Sequence, residues 1–308
     1  MGADLRARLD VLAAAFLFST GGAAIKAVSL SSWQVAGFRS AVAFLVVLAI
    51  LPESRRRWSR RTLAVGFAYA VTMVLFVAAN KLTTAANTIF LQYTSPLYLV
   101  IAGPLLLDEP VRPRDLVYLC VLGASLALFF VDAPAESASA RNPVLGNGLA
   151  LLSGVFWAAT AVGLRWMARP GSGGAPVATS VACGNAIAFL LCLPAALPVR
   201  SYSSADAAII LYLGVFQIAG AYYFLTRGLR VVPVLESSLL LLLEPVLNPV
   251  WTWLVHGERP GPWSLVGGAL ILAATTVKTW TDSRADVSLP VVGTPIAADG
   301  SSPKGRRT

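Results

Sequence analysis

The chain holds ten apolar runs, each near the ~20 residues that a helix needs to cross a bilayer core about 30 Å thick. They occupy residues 9–28, 33–52, 62–80, 84–107, 115–131, 145–167, 176–196, 206–228, 233–256 and 262–281, called spans 1 to 10 below. In 308 residues they leave only short connections and no room for an aqueous domain of even modest size. Composition agrees, since 13% of the residues are charged, about half of what a soluble domain carries. The pattern excludes an ordinary soluble enzyme and predicts an all-α integral membrane bundle. Arg6 and Arg8 give span 1 the flank of a signal peptide, but nine further spans follow and no cleavage site is convincing. It reads as a retained helix.

Orientation follows from which side of the membrane carries Lys and Arg. With the N-terminus inside, Lys26, Lys81, Arg141, Arg200 and Arg259 fall on the outer side and Arg39 lies within span 2; the other 18 of the 24 Lys and Arg fall inside. Both termini are therefore expected in the cytoplasm, with the protein in the cell (inner) membrane. The Arg55–Arg61 cluster with Trp58 is better read as a topology anchor than as a nucleic-acid patch, and the net charge of +9 implies no nucleic-acid partner. Cys120, Cys183 and Cys192 all lie in apolar runs and do not suggest a disulfide framework; with a single His, His256, no metal cluster can be built from Cys and His spacing. Residues 283–308 mix Asp, Ser, Pro, Gly, Lys and Arg without helical period, and a disordered cytoplasmic tail is expected there.

The two halves resemble each other. Phe18 aligns with Trp157 and Lys26 with Arg165; Ala43-Phe44-Leu45 with Ala188-Phe189-Leu190; Gly66 and Phe76 with Gly214 and Phe224; Pro96 with Pro245; and Glu109 with Glu258. The offset drifts between about 139 and 149 residues and is absorbed in loops such as Gly171–Gly174. Residues 1–132 form a first unit of five spans, 133–144 a linker, and 145–282 a second unit. Five is odd, so the second unit enters the membrane inverted, in agreement with the charge count. Inverted repeats are a mark of secondary transporters, whose halves present one central site to either side.

The segment from Leu235 to Pro249, containing Glu244-Pro245 and Asn248-Pro249, is followed by Gly257-Glu258-Arg259-Pro260 and Gly267-Gly268-Ala269-Leu270. Together these resemble the ninth-to-tenth helix signature of the EamA-type permeases of the drug/metabolite transporter superfamily. Thr94-Ser95-Pro96 with Asp108-Glu109-Pro110 is the first-repeat counterpart, and Phe18-Ser19-Thr20 with Lys26, and Phe38-Arg39, are similar to that family's first two helices. The resemblance implies a ten-helix fold, with helices 1–4 and 6–9 around a central cavity and 5 and 10 at the periphery. It also implies cargo such as amino acids, related metabolites, nucleotide precursors or drugs, usually moved outward. Trp157 stands where the first repeat has Phe18, so the two halves of such a site are not equivalent.

An ionisable group at the centre of a membrane helix costs at least about 2.5–3.5 kcal/mol. Glu244, midway along span 9, and Arg39, inside span 2, are therefore the first candidates for substrate contact: Glu244 for an ammonium or a proton, Arg39 for a carboxylate. Pro245 removes a donor and frees a carbonyl one turn back. Pro96 holds the matching place in span 4, preceded by Asn87, Gln92, Tyr93, Thr94 and Ser95. Helices interrupted at matching positions of two repeats point to a midplane site. Gln217, Tyr222 and Tyr223 of span 8, Trp157 of span 6, and Ser19 and Thr20 are further candidates for its lining. A purely structural role stands beside each: an ion pair or backbone cap for Glu244, bending alone for the prolines, packing for the aromatics. Lys26, near a span end, is expected to snorkel to the interface. Small residues in spans 5 and 10 suit helix packing or a homodimer contact.

No Gly-rich nucleotide loop ending in Lys-Ser/Thr is present, so no enzymatic activity and no cofactor are expected, and energy must come from a gradient or exchange. The expected activity is export of a small metabolite such as an amino acid by alternating access. A multidrug or organic-cation exporter is the alternative within the same class. A non-transporting scaffold or receptor is the alternative outside it, disfavoured by the interrupted helices and the lack of an extramembrane module.

Overall fold

The computed structural model describes residues 3–95, 97–98, 113–131, 140–168, 177–232 and 234–287. Among them no strand forms, and the helices are α1 (Ala3–Ser19), α2 (Gly21–Ala27), α3 (Ser32–Ile50), α4 (Arg60–Leu82), α5 (Ala85–Gln92), α6 (Pro113–Val131), α7 (Pro143–Ala168), α8 (Val177–Ala196), α9 (Ser204–Tyr212), α10 (Ala221–Gly228), α11 (Val234–Leu241), α12 (Leu243–His256) and α13 (Pro262–Val287). A short 3₁₀ turn, Pro52–Arg55, follows α3, and a π-helical segment, Leu213–Gly220, joins α9 to α10.

Seven stretches are long and apolar enough to cross a membrane: Asp4–Ala27, Ser32–Ile50, Arg60–Leu82, Pro143–Leu164, Val177–Ala196, Ser204–Gly228 and Leu239–His256, with a shorter apolar helix at Leu116–Leu128. They match spans 1–3 and 6–9. Span 4 begins as α5 and runs into residues outside those described; spans 5 and 10 correspond to α6 and α13. The last helix continues to Val287, so the expected disordered tail does not begin at 283. Residues 288–308 lie outside the described residues, as do Pro96, Asp108-Glu109-Pro110 and the Gly171–Gly174 loop.

Helix starts follow from side chains that satisfy the first free N–H groups. Ser31 accepts from Gln34 N while Gln34 returns a bond to Ser31 N; Ser59 and Thr62, and Ser203 and Asp206, repeat the reciprocal box. Thr84 caps α5 by accepting from Asn87 N at 3.1 Å. Gly257, at φ +64°, closes α12 in the left-handed region that glycine enters without strain.

Packing interleaves the two halves. Span 1 lies against spans 8 and 9, span 2 against 8 and 7, span 3 against 7 and 6, and span 4 against 6 and 9. These contacts close a ring in the order 1-8-2-7-3-6-4-9, every neighbour coming from the other half. Spans 5 and 10 pair with each other outside that order. Small residues allow the closest approaches: a Cβ on Gly66 of span 3 would sit 2.7 Å from Cys183 Sγ and 3.2 Å from the Gly184 nitrogen of span 7. Gly268 is used within the chain, where a Cβ would meet the Phe90 ring at 2.6 Å, whereas Gly123 faces open space.

Candidate functional site

Four of the ring's spans lose regular α geometry part-way along, and each does so beside the same cavity. Span 9 breaks at Leu242, between α11 and α12, where Leu242 N bonds back only three residues to Leu239 O (3.2 Å). The cause is Pro245, which has no N–H for the Leu241 carbonyl. That carbonyl instead lies 3.3 Å from the Tyr93 hydroxyl. Span 4 turns at Tyr93–Thr94, with Thr94 N on Leu91 O (3.3 Å) and Leu97 N on Thr94 O (2.8 Å). The two breaks stand at positions that correspond between the repeats. Span 8 carries the π segment around Gln217, a distortion that often accompanies functional sites. Span 1 breaks at Thr20, whose nitrogen bonds to Leu17 O at 3.3 Å.

Between these breaks lies a cavity of about 310 Å³. Of the candidates named above, Arg39, Gln92, Tyr93, Ser95, Trp157, Gln217, Tyr222 and Glu244 line it. Tyr93 joins the two broken helices by donating from its hydroxyl to Glu244 Oε2 at 3.0 Å as well as toward Leu241. Gln92 Nε2 donates to Ser153 Oγ of span 6 at 2.6 Å. Arg39 is 1% exposed; one terminal nitrogen donates to Met73 O at 3.3 Å and its Nε has no partner among the described residues. No carboxylate lies within ion-pair distance of Arg39, and no Lys or Arg within ion-pair distance of Glu244, among the described residues. A guanidinium and a carboxyl group thus line one cavity with neither held in a salt bridge.

Other candidates lie elsewhere. Asn87 is buried toward the Lys26 end, its Nδ2 donating to Asn147 Oδ1 at 3.3 Å. Tyr223 turns away to Arg227, which donates to its hydroxyl at 3.2 Å and sits 5.3 Å over its ring. Tyr222, named beside it, does face the cavity, edge-on to Phe18 at 5.2 Å and to Tyr69 at 6.0 Å. Ser19 and Thr20 serve the joint between helices, Ser19 accepting from Trp251 Nε1 (2.9 Å) and Thr20 from the Tyr212 hydroxyl (2.9 Å). Pro245 is buried beside Glu244. Sequence reasoning missed the wall contributed by span 3, namely Tyr69, Met73 and Phe76. Their spacing of four and three residues marks one helical face and was the available signal.

Lys26 does not snorkel. Its Nζ lies 2.9 Å from Glu258 Oε2, with side chains 6% and 2% exposed, and donates to Thr83 O at 2.9 Å. Glu258 Oε1 accepts from Ala85 N, at the start of α5, at 2.6 Å. Nearby, Lys81 donates to the Val28 carbonyl, and Asp206 accepts from Ser29 N and Ser29 Oγ, both at 2.7 Å. Arg8 with Glu236 (2.6 Å) and Arg230 with Glu53 (2.7 Å) gather at the opposite end.

A ring of apolar helices, broken beside a central cavity, defines a polytopic membrane protein. The EamA-like transporter family matches residues 7–131 and again residues 144–279. The chain belongs to that family and carries its unit twice. Among curated proteins none matches the sequence. A chain of a solved structure described as "Crystal structure of protein" superposes with a TM-score of 0.60 at 21% identity, over 91% of this chain and 98% of that one. That likeness speaks to the fold alone.

Proposed function

We propose that this family member is a secondary or facilitative transporter that exports a small zwitterionic metabolite, an amino acid fitting best, by alternating access. The observation that carries the reading is the placement of Arg39 and Glu244 on one cavity with no salt bridge to either among the described residues. A substrate carboxylate would take Arg39 and an ammonium Glu244, each meeting a charge that the fold has already desolvated. Size supports a small cargo: about 310 Å³ is at the low end of the range of about 300–1,000 Å³ for small-molecule sites. In this reading the chain spans the cell membrane ten times as two inverted units, with both termini cytoplasmic. The ring order favours inversion, because exchanging spans 1–4 with spans 6–9 maps every neighbouring pair onto a neighbouring pair, pairs 2-7 and 4-9 onto themselves, and reverses the order round the ring.

One observation favours an organic cation instead. Phe18, Tyr69, Phe76, Tyr93, Trp157 and Tyr222 give the cavity an aromatic wall, a surface that attracts cations. Arg39 opposes this, since a buried cation repels a second one. Counterflow in proteoliposomes against amino acids and quaternary ammonium ions separates the two. Arg39→Met is expected to slow amino-acid exchange about 10–100-fold, the worth of a hydrogen bond to a charged group, and Glu244→Gln to do the same. Unchanged amino-acid exchange in both variants, or faster movement of quaternary ammonium ions by Arg39→Met, would reject the zwitterion reading.

A further inference from the structure

Span 1 is jointed where it passes the cavity. Thr20 interrupts the helix, Gly21 and Gly22 follow, and the short helix α2 carries on to Lys26. A Cβ on Gly21 would fall 2.8 Å from Gln217 Nε2; one on Gly22 would fall 2.5 Å from Asn248 Oδ1 and 3.0 Å from Ala85 Cβ. The glycines are thus where amides from spans 8 and 9 press against bare backbone. Gln217 Oε1 and both amide atoms of Asn248 have no hydrogen-bond partner among the described residues, and Asn248 is 1% exposed. About 90% or more of buried polar groups in proteins are paired, so three such atoms flanking one joint call for a ligand. Asn248 stands one turn beyond Glu244, about 6 Å along the axis, on the same face and toward the Lys26 end. Asn248 is the next polar side chain of span 9 after Glu244 toward the Lys26 end.

The joint is covered from the same end. The tip of α2 is held by Lys26 on Glu258 and on Thr83 O, by the Ala23 carbonyl 2.8 Å from His256 Nε2, and indirectly by Glu258 on Ala85 N. One carboxylate therefore fastens α2 and the start of α5 together. We propose that Asn248, with Gln217, is a transit subsite on the outer flank of the cavity for the polar end of a small zwitterion, and that α2 is its cover, released when the Lys26–Glu258 latch opens. Each amide offers a donor to a carboxylate and an acceptor to an ammonium, which suits that class of solute. The proposal rests on the transporter reading of the central cavity.

The test uses the full chain in sealed vesicles, with Cys120, Cys183 and Cys192 replaced and a single reporter, Asn248→Cys or, independently, Gln217→Cys. A membrane-impermeant methanethiosulfonate reagent is applied from the Lys26 side. Slow labelling is expected with the latch intact, and labelling about tenfold or more faster with Lys26→Met or Glu258→Gln, because removing one partner of a buried pair disfavours the closed form. An amino acid that the protein carries should slow labelling again. Two reporters guard against a variant that fails to fold. Labelling indifferent to the latch at both positions, in protein that still carries solute, overturns this proposal alone. Latch-sensitive labelling that no carried amino acid slows overturns the subsite. Failure of the latch-intact protein to carry any amino acid or quaternary ammonium ion overturns the reading beneath it.

Discussion

At one end of the bundle Lys26 meets Glu258 with side chains 6% and 2% exposed; at the other Arg8 meets Glu236 at 52% and 34%, and Arg230 meets Glu53 at 68% and 35%. The residue types are alike and the distances similar, yet the energetics differ. Exposed pairs are worth about 0–1 kcal/mol because water and salt screen them. A buried pair gains little over an apolar replacement, but loss of one partner strands a desolvated charge at a cost of about 3–5 kcal/mol. Contacts around the buried pair compound the difference: Glu258 also accepts from Ala85 N, and Asp206 ties the Ser29 loop to the start of α9. The Lys26 end is fastened shut by groups that cannot be removed singly without penalty, whereas the Arg8 end is joined by groups that can part at little cost. In the alternating-access reading proposed above, the Lys26 end is the closed door.

Glu258→Gln is expected to show the largest effect, destabilising the closed form by about 3–5 kcal/mol as an upper range. The unfolding midpoint of the purified protein in detergent should fall, and the double variant Lys26→Met/Glu258→Gln should recover part of the loss, since it removes both charges together. Additive losses in that cycle would mean that the pair is not coupled and that the two ends do not differ as argued. Asp206→Asn comes next, at about 1–3 kcal/mol, because an amide cannot accept from Ser29 and Ser203 at both of its terminal atoms. Denaturant titration of that variant beside Ser29→Ala measures it; a change no larger than for an exposed residue would remove the Ser29 loop from the comparison.

Much of the difference between the ends was hidden in the sequence. Apolar runs are legible because the bilayer dictates their length, and the breaks in spans 4 and 9 are legible because proline cannot donate. Lys26 was misread: position near a span end suggested snorkelling, and its partner Glu258 is distant in the chain, so only the fold brings them together. That Tyr222 and not Tyr223 faces the cavity has a local cause. The π segment Leu213–Gly220 bonds five residues apart instead of four, so the helical phase after Gln217 no longer follows a 3.6-residue period. The orphan amide of Asn248 was illegible too, since an Asn beside Pro249 reads first as part of a family motif. Gln92, Trp157 and Arg39, which line the cavity, could be singled out because polar, aromatic or charged side chains stand out within a span. Met73 and Phe76 were not, because in a membrane helix they look like any packing residue.

Of smaller size is the contribution of a single helix cap at the weakly joined end. Ser59→Ala removes the acceptor for Thr62 N at the start of α4 and the hydroxyl contact with Thr62 Oγ1, while the Ser59 N–H can still donate to Thr62 Oγ1. A cap of this kind is worth about 1 kcal/mol. Thr84→Ala, the corresponding loss at α5 beside Glu258, is expected to cost more than Ser59→Ala, because Thr84 is buried whereas Ser59 is exposed and water can reach the nitrogen it leaves. Equal shifts in the unfolding midpoint would argue that burial at the Lys26 end adds nothing to its caps.

Arg8→Gln is expected to change stability least, by about 1 kcal/mol or less. The Arg8–Glu236 pair joins the start of α1 to α11, so its loss should loosen the contact between spans 1 and 9 at that end without stranding a charge: Glu236 is 34% exposed and can turn to water. Salt gives an independent reading. At about 1 M the screening length falls to about 3 Å, and whatever Arg8→Gln costs at low salt should vanish there, while the cost of Glu258→Gln should persist because its pair is shielded from ions. The decisive comparison is therefore unfolding of both variants across a salt series. If the Glu258→Gln penalty faded with salt as the Arg8→Gln penalty does, the Lys26–Glu258 pair would be solvated in the membrane-embedded protein, and the two ends would be fastened alike.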